Sequence, residues 1–183
     1  MTLFGDAFVE LNYRRRFIVG LLLALFCGTV GSLSGHASQK FNEVSLRVRG
    51  VGLGSSQAAV LRRFGKPLSR KQETITDETC SPRHTDLTLT YEGMTFKLEG
   101  DVRDRKFEVV SIELTSKKVV ISPKIEIGFT EKQVRIRLGA PNEAQDEPGL
   151  RKLFYVTKGN DGSAVLSFER GKLVKVYWQY TLC

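Results

Sequence analysis

The feature that most constrains this chain is a segment that occurs twice. Residues 54–67, GSSQAAVLRRFGKP, align without gaps on residues 128–141, GFTEKQVRIRLGAP. Each shared position carries a structural instruction. Ser56 and Thr130 are N-caps, because a hydroxyl there accepts from the first backbone N–H groups that a helix leaves unpaired. Gln133, three residues after Thr130, completes a capping box, and Phe129 is placed to staple onto Val134. Val60 with Phe64, and Val134 with Leu138, are i,i+4 pairs that face one core. Gly65 and Gly139 suit the left-handed position after a helix, and Pro67 and Pro141 prevent continuation. The pattern predicts two short helices.

The stretches downstream of the two copies are also similar. After the first come Leu87 to Tyr91, a Glu92-Gly93 turn, Met94 to Leu98 and Phe107 to Leu114. After the second come Leu153 to Val156, a turn over residues 159–162, Ala164 to Phe168 and Leu173 to Tyr180. Apolar–polar alternation broken by glycine turns reads as antiparallel hairpins, and Val44-Leu46-Val48 adds a leading strand. The expected fold class is α+β: two tandem helix-plus-three-strand meander repeats, about 44–115 and 125–183, sharing one antiparallel sheet with both helices on one face. Such a sheet leaves its other face open.

The motif Gly-x-[Ser/Thr]-x-x-x-Val-x-x-x-[Leu/Phe]-Gly-x-Pro, with later strands containing Tyr and a closing Gly171-Lys172-Leu173-Val174-Lys175-Val176, resembles the β-lactamase-inhibitor-protein-like tandem-repeat fold. The same unit is found in the small protein A / outer-membrane lipoprotein A (SmpA/OmlA) group. The resemblance covers about residues 44–183, and it is specific for fold rather than function, because caps, turns and core positions carry it. It implies binding: one branch inhibits an enzyme with its open sheet face, and another scaffolds outer-membrane assembly as a lipoprotein. The chain departs from the lipoprotein branch at Phe26-Cys27, where lipid processing requires a small residue before the cysteine.

The first forty residues predict export. Arg14-Arg15-Arg16 precede the apolar run Phe17 to Phe26, and Gly35-His36-Ala37 supplies a small-x-small cleavage pattern, the layout of a signal peptide cut after Ala37. The alternative is an inner-membrane anchor through residues 17–33, a stretch interrupted by three glycines and shorter than the roughly 20 apolar residues a span needs. Residues 38–183 are then a single periplasmic or secreted domain, meeting the membrane only in transit. They keep 25 basic and 18 acidic side chains, a net charge of +7. A basic exported domain is drawn to anionic surfaces or acidic proteins of the envelope; nucleic acid is not an expected partner. The basic residues are spread along the chain, which fits a solvated surface rather than a dedicated patch.

Beyond Cys27, only Cys80 and Cys183 remain. Two cysteines in an oxidising compartment predict one disulfide, the alternatives being free thiols or an intermolecular bridge.

Candidate chemistry is sparse. Gly50-x-Gly52-x-Gly54 lacks the spacing of a dinucleotide fingerprint and reads as a turn into the first helix. Cys80-x-x-x-His84 has no second pair to complete a metal site. His84 and Asp86 have no identifiable nucleophile beside them. Asp101, Asp104, Asp146 and Glu147 read as solvated loop carboxylates. No catalytic residue, metal site or cofactor is therefore predicted, and the chain is expected not to be an enzyme. Strand parity instead points to the open face. With Val174, Val176, Trp178 and Tyr180 as the core row, Lys175, Tyr177 and Gln179 point outward, as do Thr88, Thr90, Thr95, Lys97, Ser111 and Glu113. A one-residue slip would exchange the rows. Lys97, Glu113, Lys175, Tyr177 and Gln179 are the candidate binding residues of a non-catalytic envelope protein-binding or scaffolding module, or alternatively of an enzyme inhibitor.

Overall fold

The computed structural model describes residues 43–77, 81–101, 106–158 and 162–180. β1 (Glu43–Val44) and β2 (Arg47–Val48) lead into α1 (Gln57–Phe64), followed by β3 (Ser69–Asp77), β4 (Ser81–Tyr91), β5 (Met94–Asp101) and β6 (Lys106–Leu114). β7 (Ile121–Ser122) leads into α2 (Glu131–Leu138), followed by β8 (Glu143–Glu147), β9 (Leu150–Thr157), β10 (Gly162–Glu169) and β11 (Lys172–Tyr180).

Both helices start and stop where the repeated motif dictates. Ser56 Oγ accepts from the Ala59 amide at 3.3 Å. Thr130 Oγ1 accepts from the Gln133 amide at 3.3 Å, while Gln133 Oε1 accepts from the Thr130 amide at 2.8 Å. Gly65 and Gly139 end the helices at φ 73° and 84°, values that cost a side-chain-bearing residue strain. The same long-range bonds then hold each motif. The Tyr91 hydroxyl donates to the Gly65 carbonyl at 3.1 Å, and that of Tyr155 to the Gly139 carbonyl at 3.2 Å. Ahead of α1, the Gly54 amide donates to Val109; ahead of α2, the Gly128 amide donates to Leu173, at 2.8 and 2.7 Å. Val60 and Val134 are fully buried and Leu138 nearly so, and all three join a single apolar cluster with the inward row of the sheet. Phe129 packs against the same cluster, half-buried.

The large sheet departs from the expected arrangement. It has nine strands in the order β1-β9-β10-β11-β6-β5-β4-β3, with β8 also pairing β9. It is mixed rather than antiparallel, because Glu43 and Val44 run parallel to Val156 and Thr157. Four strands, not three, come after each helix, and the molecule is mostly β, with two helices of eight residues each among the described residues. The expectation of an α+β fold of two tandem helix-plus-three-strand meanders sharing an antiparallel sheet is therefore corrected. The physical reason lies in β3 and β8. They are edge strands whose side chains are exposed along almost their whole length, so neither carries the apolar period by which a strand announces itself. The leading segment also divides: β1 joins the large sheet, while Val48 of β2 pairs with Ile121 of β7 in a separate two-stranded sheet.

Cleavage at Ala37, the membrane segment 17–33 and the Cys80–Cys183 bridge fall on residues outside those described. Among the described residues no helix is long and apolar enough to cross a membrane.

Candidate functional site

Two β-bulges decide what the open face of the sheet displays. In β6 the register with β5 steps from Ser111 to Val109, and in β11 the register with β10 steps from Lys175 to Leu173. Val110 and Val174 are the extra residues. A bulge places two consecutive side chains on one face and restores alternation beyond it. Leu173 is consequently buried and Val174 is half-exposed beside Lys175, the reverse of simple alternation from Trp178. The expected core row is corrected at Val174 for that reason. Val176 and Trp178 are buried, and Tyr180 is half-buried.

All five candidate binding residues fall on this face, near the centre of the sheet. One row across the strands runs Thr88, Lys97, Ser111, Gln179, Ser163. The adjacent row runs Thr90, Thr95, Glu113, Tyr177, Val165, Phe154. Diagonal ion pairs tie the rows together: Lys97 Nζ lies 2.7 Å from Asp86 Oδ2, and Lys175 Nζ lies 2.6 Å from Glu113 Oε2. The Tyr177 hydroxyl donates to Gln179 Oε1, which fixes the ring along its own strand. Both lysines are more than two-fifths exposed, so each pair contributes at most about 1 kcal/mol to stability. What the pairs do is neutralise and orient the polar groups around Tyr177.

Beside Tyr177 the face is hollowed. A depression of about 610 Å³ is floored by Leu150, Phe154, Val165 and Val174 and rimmed by Lys152 and Lys175. Lys152 is itself held 2.6 Å from Glu147. Sequence parity missed this apolar half of the site. In β9 both rows are largely apolar (Leu153 and Tyr155 against Phe154 and Val156), so alternation carries no inside–outside signal there. Val174 was hidden by the bulge.

The remaining candidates lie elsewhere. His84 Nε2 is 3.5 Å from Asp86 and its Nδ1 is 3.7 Å from Glu99, at the far end of β4 from Tyr177. Asp146 and Glu147 sit in β8 rather than in a loop, and are engaged by Arg151 at 2.7 Å and Lys152 at 2.6 Å. Asp101 belongs to β5. Cys80 and Asp104 lie outside the described residues. Among those described, no group of three or more His, Cys, Asp or Glu side chains is arranged to hold a metal ion.

No family model matches the chain, and no curated protein matches it. Solved structures do resemble it. A cysteine-rich secretory protein from Staphylococcus aureus aligns with 77% of this chain at 14% identity and TM-score 0.47, and the chain spans only 47% of that protein. A DUF4309 family protein (YjgB) from Bacillus subtilis aligns with 76% of this chain and 88% of its own length, at 13% identity and TM-score 0.43. A candidate β-lactamase inhibitor protein from Streptococcus mutans aligns over 71% of this chain and 85% of its own, at 17% identity and TM-score 0.27. Likenesses this distant carry no argument about function.

Proposed function

We propose that residues 38–183 form a non-catalytic binding or scaffolding module of the cell envelope, released by cleavage after Ala37, that docks a protein partner on the open sheet face. The observation that carries this reading is Tyr177, an amphipathic aromatic at the centre of a flat face, flanked by the half-exposed Phe154, Val165 and Val174 and ringed by ion-paired charges. An aromatic anchor with apolar neighbours inside a polar rim is the composition of a protein interface hot spot. The basic balance of the domain favours an acidic partner, and no cofactor takes part. The finer elements of the reading are the Cys80–Cys183 disulfide and the kinship with the small protein A group.

The test is photo-cross-linking in envelope preparations from a reactive residue at position 165, beside Tyr177. One partner captured by the wild type and lost in Tyr177→Ala and Val174→Lys supports the reading. Capture that is unchanged in both variants, or no capture above background, rejects it. An enzyme inhibitor would use the same face. Its mark would be loss of inhibition of a hydrolase in the Lys97→Ala, Lys175→Ala and Tyr177→Ala variants.

A further inference from the structure

On the opposite side of the sheet, at the end where β9 and β11 finish, a recess of about 210 Å³ is lined by residues 44–47, Gly52, Leu53, Thr157, Lys158, Trp178 and Tyr180. Its polar character is one-sided. Trp178 is 1% exposed, and its indole N–H finds no acceptor in the protein. An indole can only donate, and a buried donor without a partner is unfavourable. Arg47 and Lys158 add two cations, and among the described residues no carboxylate forms a salt bridge with either. Arg47 is held in place rather than waving in solvent: one Nη donates to the Gly50 carbonyl at 3.2 Å. Gly52 leaves the room for it, since a Cβ there would sit 3.2 Å from Arg47 Cγ and 3.1 Å from the Leu46 carbonyl. The guanidinium keeps most of its five donors for another acceptor.

We propose that this recess is a binding site for a small oxyanion, a phosphate or a carboxylate on a compact molecule. Arg47 and Lys158 supply charge, and the Trp178 N–H gains the acceptor it lacks. Donor-only lining selects for a ligand that brings oxygens and negative charge, because charge-assisted hydrogen bonds to such oxygens are the stronger kind. The site lies on the helix-covered side of the sheet, away from the face assigned to protein docking, so it stands whether or not that reading does.

Trp178 is the sole tryptophan of the chain, and it reports on the site directly. The experiment titrates the intact protein with inorganic phosphate and, separately, with acetate, against chloride at matched ionic strength, following tryptophan emission and the heat of binding. Saturable binding of either oxyanion, weakened about tenfold or more in Arg47→Gln and in Lys158→Gln, supports the site. The arm that saturates distinguishes phosphate from carboxylate. Lys175→Gln, on the other face, leaves it unchanged. No saturable response to either oxyanion overturns the proposal, as does binding that survives the Arg47→Gln/Lys158→Gln double variant. Thermal melting confirms that the variants are folded, and NMR chemical shifts of the Trp178 indole N–H locate the response if emission alone is silent.

Discussion

The Tyr155 hydroxyl closes α2 by donating to Gly139, and the burial that keeps its ring in place also governs its titration. Burial pushes its pKa up to about 12; Arg135 nearby pulls it down and Glu131 pushes it up. A raised value means the folded state holds the neutral phenol. This contribution is complete below the ordinary tyrosine value of 10.0 and is lost as pH rises towards about 12. Tyr155→Phe therefore removes a component of alkaline unfolding, while costing about 1 kcal/mol at neutral pH for the lost hydrogen bond. Chemical denaturation at neutral and strongly alkaline pH measures both effects. Glu131 shows the opposite sign. Partial burial pushes its carboxyl up, but hydrogen bonds from Arg135 and Arg151, with their charges, outweigh it, and the net shift is downward. Its contribution is present above the ordinary value of 4.5 and disappears as pH falls through the lowered one. Glu131→Gln should flatten the acid limb of Tm against pH and cost about 1 kcal/mol or less at neutral pH. An acid limb identical to wild type would show that Glu131 plays no part in it.

At the scale of elements, the helices were legible because every signal is local: a hydroxyl three residues before its acceptor amide, a glycine after the last turn, a proline beyond. Thr130→Ala should cost α2 about 1 kcal/mol. Combined with Gln133→Ala the loss should be less than additive, since the capping box is one unit; equilibrium unfolding of the two single variants and the double variant decides it. The central strands were legible by their period, and all five candidate residues lie on the face that period assigns them. The edge strands were not legible, because a strand whose side chains all meet solvent has no reason to alternate. Nor was the bulge in β11, which depends on how Leu173 meets the Gly128-Phe129 segment far away in sequence. Deletion tests that bulge. Removing Val174 leaves Leu173 inward, Lys175 outward and Val176 inward on a regular ladder. Removing Tyr177 instead drives Trp178 off the buried row. The Val174 deletion should melt cooperatively with a modest loss in Tm, and the Tyr177 deletion should not fold; equal loss in both would contradict the assigned register.

At the scale of the molecule, the open face carries its display residues on the best-supported strands, so substitutions there separate binding from folding. Tyr177→Ala should leave Tm within a few degrees of wild type, because a half-exposed ring contributes little to the core, while abolishing partner capture. A collapse in Tm would show instead that the ring is structural. The strand that carries Tyr177 has a further consequence, set by the order of synthesis. β11 is the last strand to be made, yet it lies in the middle of the sheet, where Val176 to Gln179 pair with Leu114 to Ser111 and form the seam between β9-β10 and β3–β6. Until it arrives, a growing chain holds two half-sheets, each with an unpaired interior edge. Closure is therefore a final, single act. A nascent chain stopped short of Lys172 has nothing to join its halves, and remains open to any chaperone that binds extended polypeptide.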